Sequence, residues 1–312
     1  MNIDVSVIIV NYNTLELTKN TIDSVIEKTK DLTYEIILVD NASTDGSVEF
    51  FEKKYKDKII FVKNNENLGF GRANNKGIEI AKGKYVFLLN SDTLLINSAI
   101  KILFDFMEKN ENCGVCGGNL FDVDLKPTHS FLKKLPCLSS EIDFQLNFFS
   151  KIFRKIMNKR DDFNYSKNEK EVGYITGADM MIRKKILSEI GMFDKDFFMY
   201  YEESELTYRI KKKGYKIISV PQAEIIHLEG KSSIFKEKKH HMFLESKYKS
   251  FYKTSNLKTC KYIYYISQLG YFLRFLITFN KDYLKIIKIN KEEYNEFLLN
   301  CHTLRRKNLW KE

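Results

Sequence analysis

The chain has 312 residues, 44% hydrophobic and 29% charged, with 3 prolines and 14 glycines. These proportions exclude a disordered, collagen-like or linker-rich chain and leave room for one large domain or two. The net charge of +10 is unevenly placed: residues 231–312 hold 18 Lys/Arg against 7 Asp/Glu, so the remainder is close to neutral. A basic C-terminal quarter suits an anionic partner, either a membrane surface or nucleic acid.

In chain order, Val5-Ser-Val-Ile-Ile-Val reads as a first strand. It lacks a basic leader and is too short for a signal peptide. Asn11-Tyr12-Asn13-Thr14 follows, with Thr14 placed to cap a helix to about Lys28. Tyr34 to Val39 is a second strand, ending in the polar loop Asp40 to Ser47, and a helix covers Val48 to Tyr55. Ile59 to Val62 is a third strand, and Asn67-Leu-Gly-Phe-Gly-Arg-Ala-Asn-Asn opens a helix to about Lys82. Tyr85-Val-Phe-Leu-Leu, apolar on both faces, is a central strand that breaks into Asn90-Ser91-Asp92. This alternation predicts a doubly wound parallel sheet. Its first turn carries no glycine fingerprint, which argues against a dinucleotide-binding domain, and no P-loop is present.

Residues 97–109 suit a helix and 113–118 a strand. Cys113 and Cys116 have CxxC spacing but lie within that strand, and no second ligand pair completes a zinc site. The 5 cysteines do not form a disulfide framework and suit a reducing cytosol. Across the less regular stretch 120–170, Phe144, Phe148, Phe149, Ile152, Phe153, Ile156 and Met157 recur at helical spacing among basic residues. That pattern is a basic amphipathic helix over 144–160, resting on a membrane or on the core. Tyr174 to Arg183 reads as one strand, and Glu202-Glu203-Ser204-Glu205 opens a helix through Lys213 that Gly214 ends. Tyr215 to Val220 and Glu224 to Ile226 read as two short strands before His227. Tyr262 to Phe279 is almost long enough to span a bilayer, but Gln268, Arg274 and several tyrosines point to an interfacial helix or a packed tail. No nucleic-acid-binding motif accompanies the basic tail, so no nucleic-acid partner is expected.

Four polar clusters thus lie at strand ends or helix starts: Asp40 to Asp45, Asp92, Glu202 to Glu205, and His227. Each alone has an ordinary reading: helix caps, a solvated acidic helix start, a structural histidine. A carboxylate past the end of a central strand can also hold a hard cation against a diphosphate.

The clusters and their order are more specific than any one of them. Val5-Ser-Val-Ile-Ile-Val-Asn-Tyr-Asn, Val39-Asp-Asn-Ala-Ser-Thr-Asp-Gly-Ser, Asn67-Leu-Gly-Phe-Gly-Arg-Ala-Asn-Asn and Leu89-Asn-Ser-Asp-Thr closely resemble family 2 glycosyltransferases. So do Gly177-Ala-Asp-Met-Met-Ile-Arg, Gly191-Met-Phe-Asp and Phe198-Met-Tyr-Tyr-Glu-Glu-Ser-Glu-Leu. The resemblance spans about residues 3–235 and is closest to the bacterial rhamnosyltransferase-like branch. It implies a GT-A fold, a Rossmann-like mixed, mainly parallel sheet. A catalytic domain would cover 1–230, with a nucleotide-sugar half to about 118 and an acceptor half from about 119. A basic, aromatic-rich helical region would follow over 231–312.

The resemblance also implies roles. Asn11, Asn13, Asp40, Asn41, Arg72 and Ser91 would line the donor nucleotide, Asp40 accepting from a pyrimidine imide. Asp92 matches the last residue of the Asp-x-Asp metal motif, whose first position is here Asn90. With His227 it would hold Mg²⁺ or Mn²⁺. Glu203 aligns with the catalytic base, with Glu202 and Glu205 as substitutes if geometry is unforgiving. Gly177, Ala178 and Asp179 match the floor near the donor sugar and acceptor, Asp179 within reach of a sugar hydroxyl. His227 with Gly230 and Ser232 resembles the segment that closes over the diphosphate. The processive Gln-x-x-Arg-Trp motif is absent, since the only tryptophan is Trp310.

The expected activity is inverting transfer of one sugar per encounter, possibly rhamnose. The donor is a nucleotide-diphosphate sugar, and the acceptor is a cell-surface polysaccharide or lipid-linked saccharide. The enzyme would sit in the cytoplasm, peripherally at the inner face of the cell membrane. Asn90 and Glu203 keep open a catalytically degenerate nucleotide-sugar-binding scaffold. A nucleotidyltransferase would leave the Glu202–Glu205 cluster without a role.

Overall fold

The computed structural model describes residues 2–146, 161–228 and 236–306. Most of the basic helix expected over 144–160 lies outside them, as do Gly230, Ser232 and Trp310. The described residues cluster into two units. The first holds those up to 135, 161–198 and 203–228. The second holds 136–146, 199–202 and 236–306.

The first unit is built on a nine-stranded sheet. Its strands are β1 (Val5–Asn11), β2 (Tyr34–Asp40), β3 (Ile60–Lys63), β4 (Tyr85–Asn90), β5 (Thr93–Leu95), β6 (Cys113–Phe121), β8 (Lys170–Glu171), β10 (Asp179–Arg183) and β11 (Lys216–His227). β7 (Phe131–Leu132) and β9 (Tyr174–Ile175) form a separate pair. The order is β3-β2-β1-β4-β10-β6-β11-β5, with β8 paired to β11. β3, β2, β1 and β4 run parallel, whereas β10 lies antiparallel between β4 and β6. The sheet is therefore mixed. Because β2 and β4 flank β1 on opposite sides, the connection reverses at β1, and ligands of open α/β sheets bind at such a switch point.

Six helices belong wholly or mostly to this unit: α1 (Leu15–Lys28), α2 (Ser47–Lys54), α3 (Phe70–Ile80), α4 (Ala99–Lys109), α6 (Lys184–Ile190) and α7 (Glu202–Lys212). Alternation along the strands sends side chains to both faces. Val5, Val7 and Ile9 of β1 pack with Ile22 and Val25 of α1, Phe51 of α2 and Leu103 and Met107 of α4. Ile8 faces the other way, into a cluster with Ala73 and Ile78 of α3, Ile186 of α6 and Leu206 and Ile210 of α7. Two covered faces explain why the Tyr85–Leu89 run is apolar at every position.

Several local expectations are corrected. Tyr174 to Arg183 is not one strand: it breaks at Thr176-Gly177-Ala178 into β9 and β10, and the Ala178 carbonyl there accepts from Asn90 N at 3.0 Å. The two short strands near Pro221 are a single β11, because a register shift between Ser219 and Glu224 spares the proline from donating to the ladder. Thr14 does not cap α1 with its side chain. Its hydroxyl donates to Asn11 Oδ1 at 2.9 Å, and Asp45 Oδ2 accepts instead from Leu15 N at 3.0 Å. Gly214, at φ 90°, follows the end of α7 as expected.

The second unit contains α5 (Leu138–Leu146), α8 (Lys236–Thr254), α9 (Leu257–Thr278) and α10 (Asp282–Arg306). Its core joins Tyr248 and Phe251 of α8, Ile263 of α9, and Tyr294 and Phe297 of α10. The Tyr264 and Tyr294 rings stack at 4.3 Å with 11° between their planes. Lys247 is buried and donates to Glu141 at 2.6 Å and Ser267 Oγ at 2.9 Å. Burial pushes the Glu141 carboxyl up, but Lys247 beside it holds it below the ordinary range. Such a pair sets which helix faces meet more than it adds stability.

In the first unit Gly69 is required both by its backbone conformation and by the space around it. Gly69 has φ +79°, and a Cβ there would lie 2.0 Å from the Phe198 carbonyl oxygen, which accepts from Phe70 N at 2.9 Å. Gly69→Ala is expected to lower unfolding stability by about 2 kcal/mol or more, measured by urea denaturation. An unchanged midpoint would refute this clamp.

Candidate functional site

The carboxyl ends of β1, β2 and β4 gather the polar residues singled out in the sequence. Asn11 and Asp40 are opposite each other in the β1–β2 register and both are buried. Asn11 Nδ2 donates to Asp40 Oδ2 at 2.7 Å and to Ser43 Oγ at 3.0 Å, and Ser43 N donates to Asp40 Oδ1 at 2.9 Å. Asn13 stands at φ 53°, exposed, its Oδ1 accepting from Thr44 N at 2.7 Å. These bonds lock the two loops into one rim. Each oxygen of Asp40 thus already accepts one bond, and a carboxylate oxygen retains capacity for another.

Asn41 has a different position from the one its sequence context implies. It is buried, donates to Asn67 Oδ1 at 2.8 Å and to the Gly69 carbonyl at 3.2 Å, and accepts from Asn64 Nδ2 and Leu68 N. All four hydrogen-bonding positions of the amide are engaged in holding loop 64–69. Arg72 donates from Nε to the Leu68 carbonyl at 2.8 Å, which ties it to the start of α3. Ser91 is anchored by Thr14, whose hydroxyl oxygen lies 3.2 Å from Ser91 Oγ and can accept from it, and by Thr21, which donates to the Ser91 carbonyl at 2.9 Å.

Asn90, Asp92 and His227 converge. The antiparallel β5–β11 pair sets His227 opposite Thr93, and Leu228 N donates to the Asp92 carbonyl at 2.9 Å. His227 Nε2 lies 3.3 Å from Asp92 Oδ1 and 3.3 Å from Asn90 Nδ2. Among the described residues no group of three or more His, Cys, Asp or Glu could hold a metal. Here the third polar group is the Asn90 amide.

The three glutamates separate by environment. Glu203 Oε2 is buried without a hydrogen-bond partner among the described residues. Burial pushes its carboxyl up, opposed by its own backbone N–H and by the nearby His129. Glu205 is bound by Arg209, whose Nε lies 2.8 Å from its Oε1 and whose Nη2 lies 2.8 Å from its Oε2. The same arginine donates to the carbonyls of Ile190, Gly191 and Met192. Both oxygens of Glu205 are therefore engaged in fixing a loop through Arg209. Glu202 is buried in the second unit, where its charge adds to burial in raising the Tyr200 phenol. The residues before it are unusual: Tyr200 and Tyr201 have φ of 72° and 64°. Within the second unit, both rings pack on Phe243, and Ser246 Oγ donates to the Met199 carbonyl at 2.7 Å.

The proposed sugar floor is also revised. A Cβ on Gly177 would lie 2.9 Å from the Phe70 ring, so this glycine permits packing, and Ala178 is buried. Asp179 is wholly buried inside the sheet, its Oδ2 accepting from Gly118 N at 2.6 Å and its Oδ1 unpartnered among the described residues. Burial raises its carboxyl well above the ordinary range. It is enclosed within the sheet, with Oδ2 held by the Gly118 amide. Sequence reasoning missed His129, which pairs with Asp162 at 2.9 Å and faces Glu203 electrostatically. It lies in the irregular stretch 120–170, where no periodicity marks it.

Residues 6–191 match the model of the family described as Glycosyl transferase family 2. An uncharacterized glycosyltransferase of Methanocaldococcus jannaschii is 36% identical over 124 residues, 38% of this chain and 42% of the relative. The N-acetylglucosaminyl-diphospho-decaprenol L-rhamnosyltransferase of Mycobacterium tuberculosis is 25% identical over 209 residues, 64% of this chain and 67% of the relative. In fold, the chain is similar to GalNAc-T7, solved with UDP, GalNAc and Mn²⁺. The TM-score is 0.59 at 19% identity, covering 80% of this chain and 47% of that one. The sheet is thus the GT-A arrangement.

Asp179 offers a test of the revised floor. Burial raises its folded-state value above the unfolded one, so its contribution to stability is full in acid and is lost as pH rises through the folded value. Asp179→Asn is expected to keep turnover and to flatten the loss of melting temperature as pH rises above the ordinary aspartate range. A folded variant without turnover would return Asp179 to the sugar.

Proposed function

Because the chain belongs to glycosyl transferase family 2, we propose that it transfers one sugar per encounter, with inversion, from a nucleotide-diphosphate donor to a saccharide or lipid-linked saccharide. The observation that carries this reading is the meeting of Asn90, Asp92 and His227 at the carboxyl ends of strands. One carboxylate and one imidazole, Asp92 Oδ1 and His227 Nε2 3.3 Å apart, fit a divalent cation such as Mg²⁺ or Mn²⁺, and Asn90, whose Nδ2 now faces His227, would add its Oδ1 once its amide turned. Bound by them, it would stabilise charge developing on the departing diphosphate.

The chain's own residues do the rest. The rim formed by Asn11, Asn13, Asp40 and Ser43 receives the nucleobase, a pyrimidine being the match for Asp40. The terminal nitrogens of Arg72, left over from its bond to Leu68, turn to the diphosphate. Glu203 takes the acceptor hydroxyl proton as that oxygen bonds to the anomeric carbon, and the bond from this carbon to diphosphate breaks. The leaving group departs as an anion and needs no general acid. An unpaired, partly desolvated carboxylate is suited to this because its basicity is raised toward the working pH.

The mycobacterial relative's name supports rhamnose as donor sugar and a polyprenol-linked saccharide as acceptor, in the synthesis of a cell-surface polysaccharide. With such an acceptor the enzyme would work peripherally at the inner face of the cell membrane. The second reading is a nucleotide-sugar-binding scaffold, favoured by an amide at Asn90 where a second carboxylate would strengthen the cation site.

Three variants separate these readings. Asp92→Ala is expected to abolish cation-dependent donor binding, followed by calorimetry. Glu203→Gln should bind donor yet transfer about 10²–10⁴-fold more slowly. In the parent, activity should fall in acid through a value above the ordinary glutamate range, as Glu203 gains its proton. Normal turnover by Glu203→Gln would remove it as the base. Asn90→Asp should lower the Mn²⁺ concentration giving half-maximal donor binding. Absence of both transfer and slow hydrolysis across a panel of nucleotide sugars would favour the scaffold.

A further inference from the structure

The helix α9 is packed on one side and bare on the other. Cys260, Ile263, Ser267, Gly270 and Arg274 follow at steps of three and four and are buried. On the opposite side Tyr262, Tyr265, Leu269, Phe272 and Leu276 keep the same steps and are 46–57% exposed. That spacing is one helical face. Scattered exposed apolar residues are ordinary, but a continuous stripe marks a surface that meets something apolar.

The polar groups of α9 are drawn away from this stripe. Arg274, the helix's one arginine, turns inward and donates to the Phe144 carbonyl at 2.8 Å and to Gln145. Gly270 makes room for this contact: a Cβ there would lie 2.4 Å from Gln145 Oε1. The helix contains no Asp or Glu. Exposed Lys258 and Lys261 stand in its first turns, and exposed Lys281 follows its end. Phe279, at its C-cap, takes the left-handed conformation that glycine usually supplies, with φ 51°, and is 77% exposed. No helix among the described residues is long and apolar enough to cross a membrane.

We propose that this outer face of α9 rests in the interfacial layer of a bilayer containing anionic phospholipid. The lysines at both ends match anionic headgroups, and the two tyrosines suit a boundary with one apolar and one wet side. The apolar stripe reaches the acyl boundary, as a helix lying in the membrane plane requires. This assignment rests on the membrane-linked acceptor proposed above and names the surface that would hold the enzyme there.

The test is flotation of the full chain with phosphatidylglycerol-containing vesicles, beside pure phosphatidylcholine vesicles. Binding is expected to the former, weakening with salt. Lys258→Ala with Lys261→Ala should weaken it about 25-fold, since each lysine near an anionic surface contributes about fivefold. Leu269→Glu with Phe272→Glu should abolish it while leaving the melting temperature and donor binding unchanged. Parent-like vesicle binding by that double variant overturns the proposal. So does a parent dimer that the same double variant converts to monomer, since the stripe then belongs to a second copy. A chain that hydrolyses nucleotide sugar but ignores both vesicles fails this inference alone. One that binds anionic vesicles but neither transfers nor hydrolyses fails the catalytic reading alone.

Discussion

At the carboxyl ends of β1 and β2, the buried Asn11 amide donates to Asp40 at 2.7 Å, and the candidate donor rim depends on that bond. Two buried polar groups facing each other across a parallel pair would each be destabilising if unpaired. Paired, they fix the ends of both strands, and Ser43 joins them from the following loop. Thr14 and Thr18 complete Asn11 through its oxygen, and Thr14 also reaches Ser91. A single amide thus links the loops after β1 and β2, the start of α1 and, through Thr14, the turn after β4. The apolar sheet below supplies rigidity, while this polar lattice decides where its open end presents groups to a ligand.

The second unit solves a different problem with different means. Its helices meet through stacked aromatic rings and one buried ion pair, Glu141 with Lys247. Helical amphipathicity leaves one face of α9 unused by this packing. A small unit gains specificity from a buried charge pair because only one arrangement of the helices satisfies both charges.

The central strands and their helices were legible because burial on both faces writes continuous apolar runs, as in Tyr85 to Leu89. Loop residues at strand ends were legible through position: Asn11, Asp40, Asn90 and Asp92 all stand at or just beyond the strand termini. What those side chains bond to was not. Asn41 and Asp179 have the composition of ligand contacts, yet one is saturated by loop 64–69 and the other is enclosed by the sheet. Glu203 and Glu205 share a helix start, and their surroundings differ because Arg209, one turn further on and anchored to three carbonyls, engages Glu205 while Glu203 Oε2 is buried without a partner among the described residues. The break between β9 and β10 and the continuity of β11 were missed because strand pairing is a long-range choice that local periodicity does not encode.

The two tyrosines ahead of the glutamates carry one further consequence. Left-handed backbone at two successive bulky residues stores about 1–2 kcal/mol at each. Phe243 and Ser246 hold them in that state through ring contacts and a bond to the Met199 carbonyl. Local openings of a native structure cost less free energy than global unfolding, and releasing stored strain lowers that cost further. The amide hydrogens of Tyr200 and Tyr201 should therefore exchange with solvent ahead of those in β1 and β4.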